Sequence, residues 1–141
     1  MHVTTVDDEP LTRHVRCARR QQEHAHLGKP AICDGGYDAW LRDIAPLAGL
    51  PHVVCKVSGL VTEAMDSHGR FDADVLAQYL DTALDLFGTG RLMFGSDWPV
   101  CVLAAPYARV TQIVTDWARR LTPDEQGALF GGTARRTYGI S

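Results

Sequence analysis

Arg91-Leu92-Met93-Phe94-Gly95-Ser96-Asp97-Trp98-Pro99-Val100-Cys101 is the most informative segment of the chain. Leu92 to Phe94 is short and apolar, which predicts a buried strand, and Gly95-Ser96 stops it. Asp97 follows at once, flanked by Trp98 and Pro99. In α/β enzymes the reacting groups collect just past the carboxyl ends of the strands. Gly95 lets the chain turn, Pro99 stiffens the exit, and Trp98 supplies an apolar wall beside a charge. A carboxylate so placed can act as a general base or hold a metal. A turn aspartate that caps its own loop has the same spacing.

Upstream of this strand, Asp72 is placed to cap a long helix with a buried stripe of Val75, Leu76, Tyr79, Leu80, Ala83, Leu84 and Phe87, ended by Gly88 and Gly90. Before it, His52 to Val57 is apolar and β-branched and predicts a second strand. Trp40, Leu41, Ile44 and Leu47 recur every three or four residues, so 37–47 reads as an amphipathic helix, terminated by Gly49 and Pro51. A weaker strand ends near His26 and is closed by Gly28-Lys29-Pro30, and Leu11, Val15 and Ala18 suggest a helix over 11–23. Downstream, Pro106 opens a helix carrying Val110, Ile113, Val114 and Trp117. Thr122-Pro123-Asp124-Glu125 has the form of a capping box before a last helical piece over 123–138.

Strand and helix therefore alternate three times, which argues for parallel strands joined by crossovers. Three strands are too few for a closed barrel or an ordinary open sheet. A (β/α)8 barrel takes about 250 residues, and this chain has 141. The formal charge of −3 and pI near 6.0 leave no electrostatic footprint for nucleic acid or an anionic membrane. The basic segment Arg13, Arg16, Arg19, Arg20 reads as a solvated helix face. No apolar run reaches the ~20 residues of a membrane span, and the N-terminus lacks a signal-peptide core. Cys17, Cys33, Cys55 and Cys101 are scattered without a C-x-x-C pair, which fits free thiols in a reducing cytoplasm.

Three motifs occur in a fixed order: His26-Leu27-Gly28-Lys29-Pro30, Lys56-Val57-Ser58-Gly59-Leu60, and Phe94-Gly95-Ser96-Asp97-Trp98-Pro99. Together they resemble the amidohydrolase-related family of the L-fuconolactonase and 2-pyrone-4,6-dicarboxylate hydrolase type. The resemblance runs from about residue 26 to the C-terminus. That family is a (β/α)8 barrel with these motifs on its last three strands. The resemblance thus implies an α/β chain forming the C-terminal part of a TIM barrel of the metal-dependent hydrolase type, about three βα units, without the other five strands. Residues 25–141 follow the pattern and 1–24 do not. Ala25 stands where the family has Asp, and the polar Arg20-Gln21-Gln22-Glu23 replaces an apolar strand. Gly131-Gly132-Thr133-Ala134 stands where the family has Gly-Asn-Ala, and Thr133 in place of Asn weakens a capping or contact role there.

The candidate site residues are Asp97 and His26 for catalysis, Lys56, Ser58 and Trp98 for substrate, and His26 with Asp97 as metal ligands. His24-Ala25-His26 has the i, i+2 spacing of a metal pair on a strand. The family alignment instead makes His26 the motif histidine and leaves His24 incidental. Lys56 sits in an otherwise apolar strand on the face of Val54 and Ser58, so its ammonium needs either a partner acid or an opening toward an active-site mouth. Ser58 has no local base and is not a nucleophile candidate. Trp40 and Trp117 lie on helical stripes and are expected in the core.

The resemblance implies hydrolysis of a lactone or similar cyclic ester of a small sugar acid or carboxylated ring, with one divalent ion (zinc or similar) or none. Asp97 would take a proton from the attacking water. His26 would polarise the carbonyl or ligate the ion, while Lys56 and Trp98 seat the small-molecule substrate. The first-strand His-x-His pair of the superfamily is absent. A three-strand piece also leaves edges and helix stripes uncovered. The isolated chain is therefore expected to be inactive, and to be unstable unless it associates with itself or with a complementary N-terminal barrel fragment. The alternatives are a truncated, inactive remnant of a broken reading frame, or an α/β binding module in which Asp97 is only a turn residue.

Overall fold

The computed structural model describes residues 30, 32, 35–66 and 70–140, together with the backbone of 24–26. Strands β1 (His24–His26), β2 (Val54–Val57) and β3 (Leu92–Phe94) form one sheet in the order β1-β2-β3, and both pairings are parallel. Parallel neighbours need a crossover rather than a tight turn. Helix α1 (Tyr37–Ala48) carries the chain from β1 to β2, and the short α2 (Leu60–Ala64) and long α3 (Ala73–Phe87) carry it from β2 to β3. Beyond β3 come a 3-10 turn (Val100–Leu103), α4 (Tyr107–Ala118), α5 (Pro123–Gly127), a π turn (Ala128–Gly132) and α6 (Thr133–Tyr138). The helix expected over 11–23 and the polar segment 20–23 lie outside the described residues.

β2 begins later than the expected His52, because the Val53 N–H donates to the Leu50 carbonyl (3.1 Å) and closes a turn after Pro51. β3 gives up its regular pairing at Phe94, yet the Gly95 N–H still donates to the Val57 carbonyl (2.9 Å). Register pairs His26 with Lys56, Lys56 with Met93, and Val57 with Phe94. Side chains alternate along a strand, so the sheet has two distinct faces. Cys55, Val57 and Leu92 join the core formed with the helices. Val54 and Met93 are also buried but stand apart from that core, on the face of Lys56.

The helices form where their stripes predict. Asp72 caps α3 by accepting from the backbone N–H groups of Asp74 (2.8 Å) and Val75 (3.4 Å). Leu76, Tyr79, Leu80, Ala83 and Phe87 of α3 are buried, with Val75 and Leu84 at the margin. Tyr79 meets the rings of Trp40 (4.7 Å between centroids) and Tyr37 (5.2 Å, edge-on), which locks α3 against α1. Trp40 is core as expected. Trp117 is only half-buried, because its indole N–H reaches out to Asp81 (2.6 Å), which also takes Arg120 and so ties α4 to α3.

The capping box is formed: the Thr122 N–H donates to Glu125 Oε2 (2.8 Å) and the Glu125 N–H to Thr122 Oγ1 (3.4 Å). Hydrogen bonds from the Thr122 backbone and then its side chain hold the Glu125 carboxyl below its usual range. A lowered folded-state value means the box stabilises α5 fully above the ordinary glutamate range and loses that contribution as pH falls through the folded value. Hydrogen exchange should show the α5 amides losing protection as the pH drops below 4.5, the ordinary glutamate value. Glu125→Gln should flatten that dependence. Unchanged α5 protection across the same range would contradict the box.

Thr133 is a correction to the expectation of a weak contact role. It is buried, its hydroxyl donates to the Gly90 carbonyl (3.4 Å), and Arg136 donates both to Thr133 Oγ1 (3.1 Å) and to Gly90 (3.2 Å). A hydroxyl can take over an amide's hydrogen bond when the backbone lies this close, and here it pins α6 to the turn that enters β3. Among the described residues, no helix is long and apolar enough to cross a membrane.

Candidate active site

Parallel register brings the carboxyl ends of all three strands to one rim. His26 is the last residue of β1 and stands level with Lys56 near the end of β2. Asp97 lies three residues past the end of β3. Its backbone is left-handed (φ 60°), a conformation that aspartate tolerates better than most residues. The turn so made is held twice. The Cys101 N–H donates to the Asp97 carbonyl (2.9 Å), and the Trp98 N–H donates to Ser96 Oγ (3.3 Å). The Trp98–Pro99 peptide is cis. Asp97 itself is half-buried at this rim.

Lys56 is half-buried on the sheet face away from the main core, and among the described residues it makes no ion pair. Its stem crosses Gly95: a Cβ built there would lie 2.4 Å from Lys56 Cε and 3.4 Å from Lys56 Nζ and Ser58 Cβ. Lys56, Ser58 and Gly95 thus meet on one face, as the strand parity predicts. Ser58 is buried, just past β2. Trp98 is 68% exposed, so most of the apolar surface expected from it is open at the rim. The side chain of His26 lies outside the described residues. Sequence reasoning missed the Ser96 turn and the passage of Lys56 over Gly95. The first was open to a reading of Ser-x-Trp as a serine turn, whereas the second has no local signal because it depends on register.

A cavity of about 20 Å³ lies under the rim, lined by Ser58, Leu60, Gly95, Cys101, Val110 and Val114 among others, with room for one water. A larger open hollow of about 560 Å³ lies over the loops that follow β1 and β2 and includes Ile32, Asp66, Arg70 and Phe71. Among the described residues, none of the expected site residues lines it, so volume alone does not mark the chemistry. Protein metal centres take three or four ligands. Among the described residues, no three His, Cys, Asp or Glu side chains come together. The His26 side chain lies outside the described residues, and His26 with Asp97 would supply two ligands where a zinc centre takes three or four.

A parallel wall of strands backed by helices is the arrangement of one part of a (β/α)8 barrel. Residues 24–140 match the Amidohydrolase family, and the chain belongs to it; its fold is that of part of a barrel. It is 51% identical over 123 residues to an L-fucono-1,5-lactonase of Burkholderia multivorans (strain ATCC 17616 / 249), covering 82% of this chain and 42% of the relative. A second L-fucono-1,5-lactonase, from Burkholderia ambifaria, is 38% identical over 120 residues, with 82% and 40% covered. A crystal structure of a Burkholderia multivorans amidohydrolase with bound zinc superposes with a TM-score of 0.75 at 47% identity, over 84% of this chain and 44% of that one. The chain spans less than half the length of these relatives.

Proposed function

We propose that this chain supplies the acid–base portion of a barrel active site that opens the ring of a lactone of a small sugar acid. The observation that supports the reading is the turn past the carboxyl end of β3 that holds Asp97, on the side of the sheet where β1 ends at His26 and β2 ends just after Lys56. The likeness to two L-fucono-1,5-lactonases supports the substrate class.

In this mechanism Asp97 removes a proton from water as the water oxygen attacks the lactone carbonyl carbon. The tetrahedral adduct collapses, the ring C–O bond breaks, and the proton held by Asp97 passes to the departing alkoxide. His26 polarises the carbonyl oxygen. The Lys56 ammonium meets the negative oxygen of the adduct or the product carboxylate, and Ser58 and Trp98 border the ring. A zinc-type ion would need ligands beyond His26 and Asp97. The free, buried thiols of Cys55 and Cys101 support a reducing, cytoplasmic setting.

On their outer sides β1 and β3 pair with no described strand, which favours activity only in a completed wall. The remaining wall would come from a complementary N-terminal barrel segment or a second copy. Proton release from aldonolactones, followed by pH-stat for the chain alone and mixed with such a segment, tests this. Ring opening restored by the mixture is expected, with little from the chain alone. Hydrolysis of none of the lactones by a mixture that forms the complex would contradict the proposed activity.

A further inference from the structure

We infer that Gly95 is a positioning residue for Lys56: its missing side chain is the slot through which the lysine stem reaches the rim that presents Asp97. The inference deepens the proposed reading, because that reading gives the Lys56 ammonium a substrate oxygen to hold. Any residue other than glycine at 95 places a Cβ 2.4 Å from Lys56 Cε, well inside the van der Waals contact of two carbons. Gly95 has no left-handed backbone to explain it, since among the described residues the positive-φ positions are Gly35, Gly59, Gly88, Gly139 and Asp97. The three atoms nearest its absent Cβ all belong to side chains, two to Lys56 and one to Ser58. The glycine therefore serves the lysine and not the turn.

A consequence follows for substitution. The group that must yield to an added methyl is the far end of a flexible side chain, so the strand should keep its place while the ammonium moves. Gly95→Ala then separates position from stability: the fold is retained and the cation is displaced from the rim. A glycine needed for backbone reasons would show the opposite, with stability lost and the lysine unaffected.

The chain has two lysines, Lys29 and Lys56, which makes the test direct. Reductive methylation with 13C-formaldehyde of the Lys29→Arg chain leaves the Lys56 dimethylamino signal and that of the N-terminus, which differ in shift. In the folded chain the Lys56 signal is expected away from its position in urea, and Gly95→Ala should move it toward that position with little change in the thermal midpoint. If Gly95→Ala unfolds the chain, the Gly95→Ala/Lys56→Ala double variant should fold again, because the clashing stem is gone. A Lys56 signal unmoved by Gly95→Ala, or a double variant that stays unfolded, would overturn the inference.

Affinity for gluconate, an open-chain sugar acid, provides the second arm, measured with the complemented wall. Gly95→Ala and Lys56→Ala should each weaken binding about tenfold, and the double variant no further. Weakening by Lys56→Ala but not by Gly95→Ala would again overturn the inference. Gluconate binding indifferent to Lys56→Ala would remove Lys56 from the proposed substrate site, while the methyl signal still decides whether Gly95 places it.

Discussion

Asp97→Asn is expected to lower lactone ring opening at least about a hundredfold in the preparation that carries activity, with the fold unchanged. The magnitude is that of a lost general base. Asparagine is nearly isosteric and, like aspartate, tolerates the left-handed backbone found at this position (φ 60°). The Cys101 N–H bonds the main-chain carbonyl of residue 97, so that contact survives the change. Only proton affinity is removed. The loss should fall on kcat, with KM for the lactone changed by less than about threefold, because an uncharged amide still borders the same space. Equal turnover by both proteins would reduce Asp97 to a turn residue and favour a binding module.

Arg91→Met is expected to cost about 3 kcal/mol of folding stability, measured by urea unfolding. The guanidinium donates to carbonyls of Ala48 (3.0 Å), Leu50 (2.9 Å), Phe87 (3.1 Å) and, more weakly, Val53 and Leu86 (3.4 Å each). It also stacks on the Phe87 ring at 5.3 Å. These carbonyls belong to the end of α1, the turn into β2 and the end of α3, so one side chain closes two helix C-termini at the entry of β3. Helix ends leave carbonyls without intrahelical partners, and a half-buried cation is well suited to them. Arg91→Lys should recover only part of the loss, because an ammonium lacks the planar fork that spans several acceptors. A cost below about 1 kcal/mol for Arg91→Met would mean that water replaces the guanidinium there. Since Arg91 lies at the opposite end of β3 from Asp97, the variant should leave ligand affinity in the folded fraction intact.

What the sequence makes legible is local chemistry. The α3 stripe from Leu76 to Phe87, its Asp72 cap and the Thr122–Glu125 box each depend on residues within a few positions of one another, and each forms as read. The parallel order of the strands follows from their alternation with helices, and the motif order identifies which part of a barrel they belong to. Of the candidate site, the sequence makes legible only that a carboxylate, Asp97, follows a strand end and that Lys56 lies in the neighbouring strand; the expected approach of Asp97 to His26 involves a side chain outside the described residues. The hidden part is what register decides. Lys56 and Gly95 are far apart in the chain and meet only because Lys56 pairs with Met93. Arg91 looks like an ordinary charge before a strand, and nothing nearby in the chain announces five carbonyl acceptors. The short α2 after Gly59 was hidden for a related reason. Its five residues bury Leu60, Val61 and Ala64 through tertiary contact, which is too short a run for periodicity to reveal.

A crystal structure of the complemented wall with bound gluconate tests the central claim most directly. The sugar acid is expected at the carboxyl rim, with a carboxylate oxygen within hydrogen-bonding distance of Lys56 Nζ and the Asp97 carboxyl and His26 imidazole facing the same ligand. Gluconate bound at the amino ends of the strands, or an Asp97 carboxyl directed away from a ligand held at the rim, would contradict it.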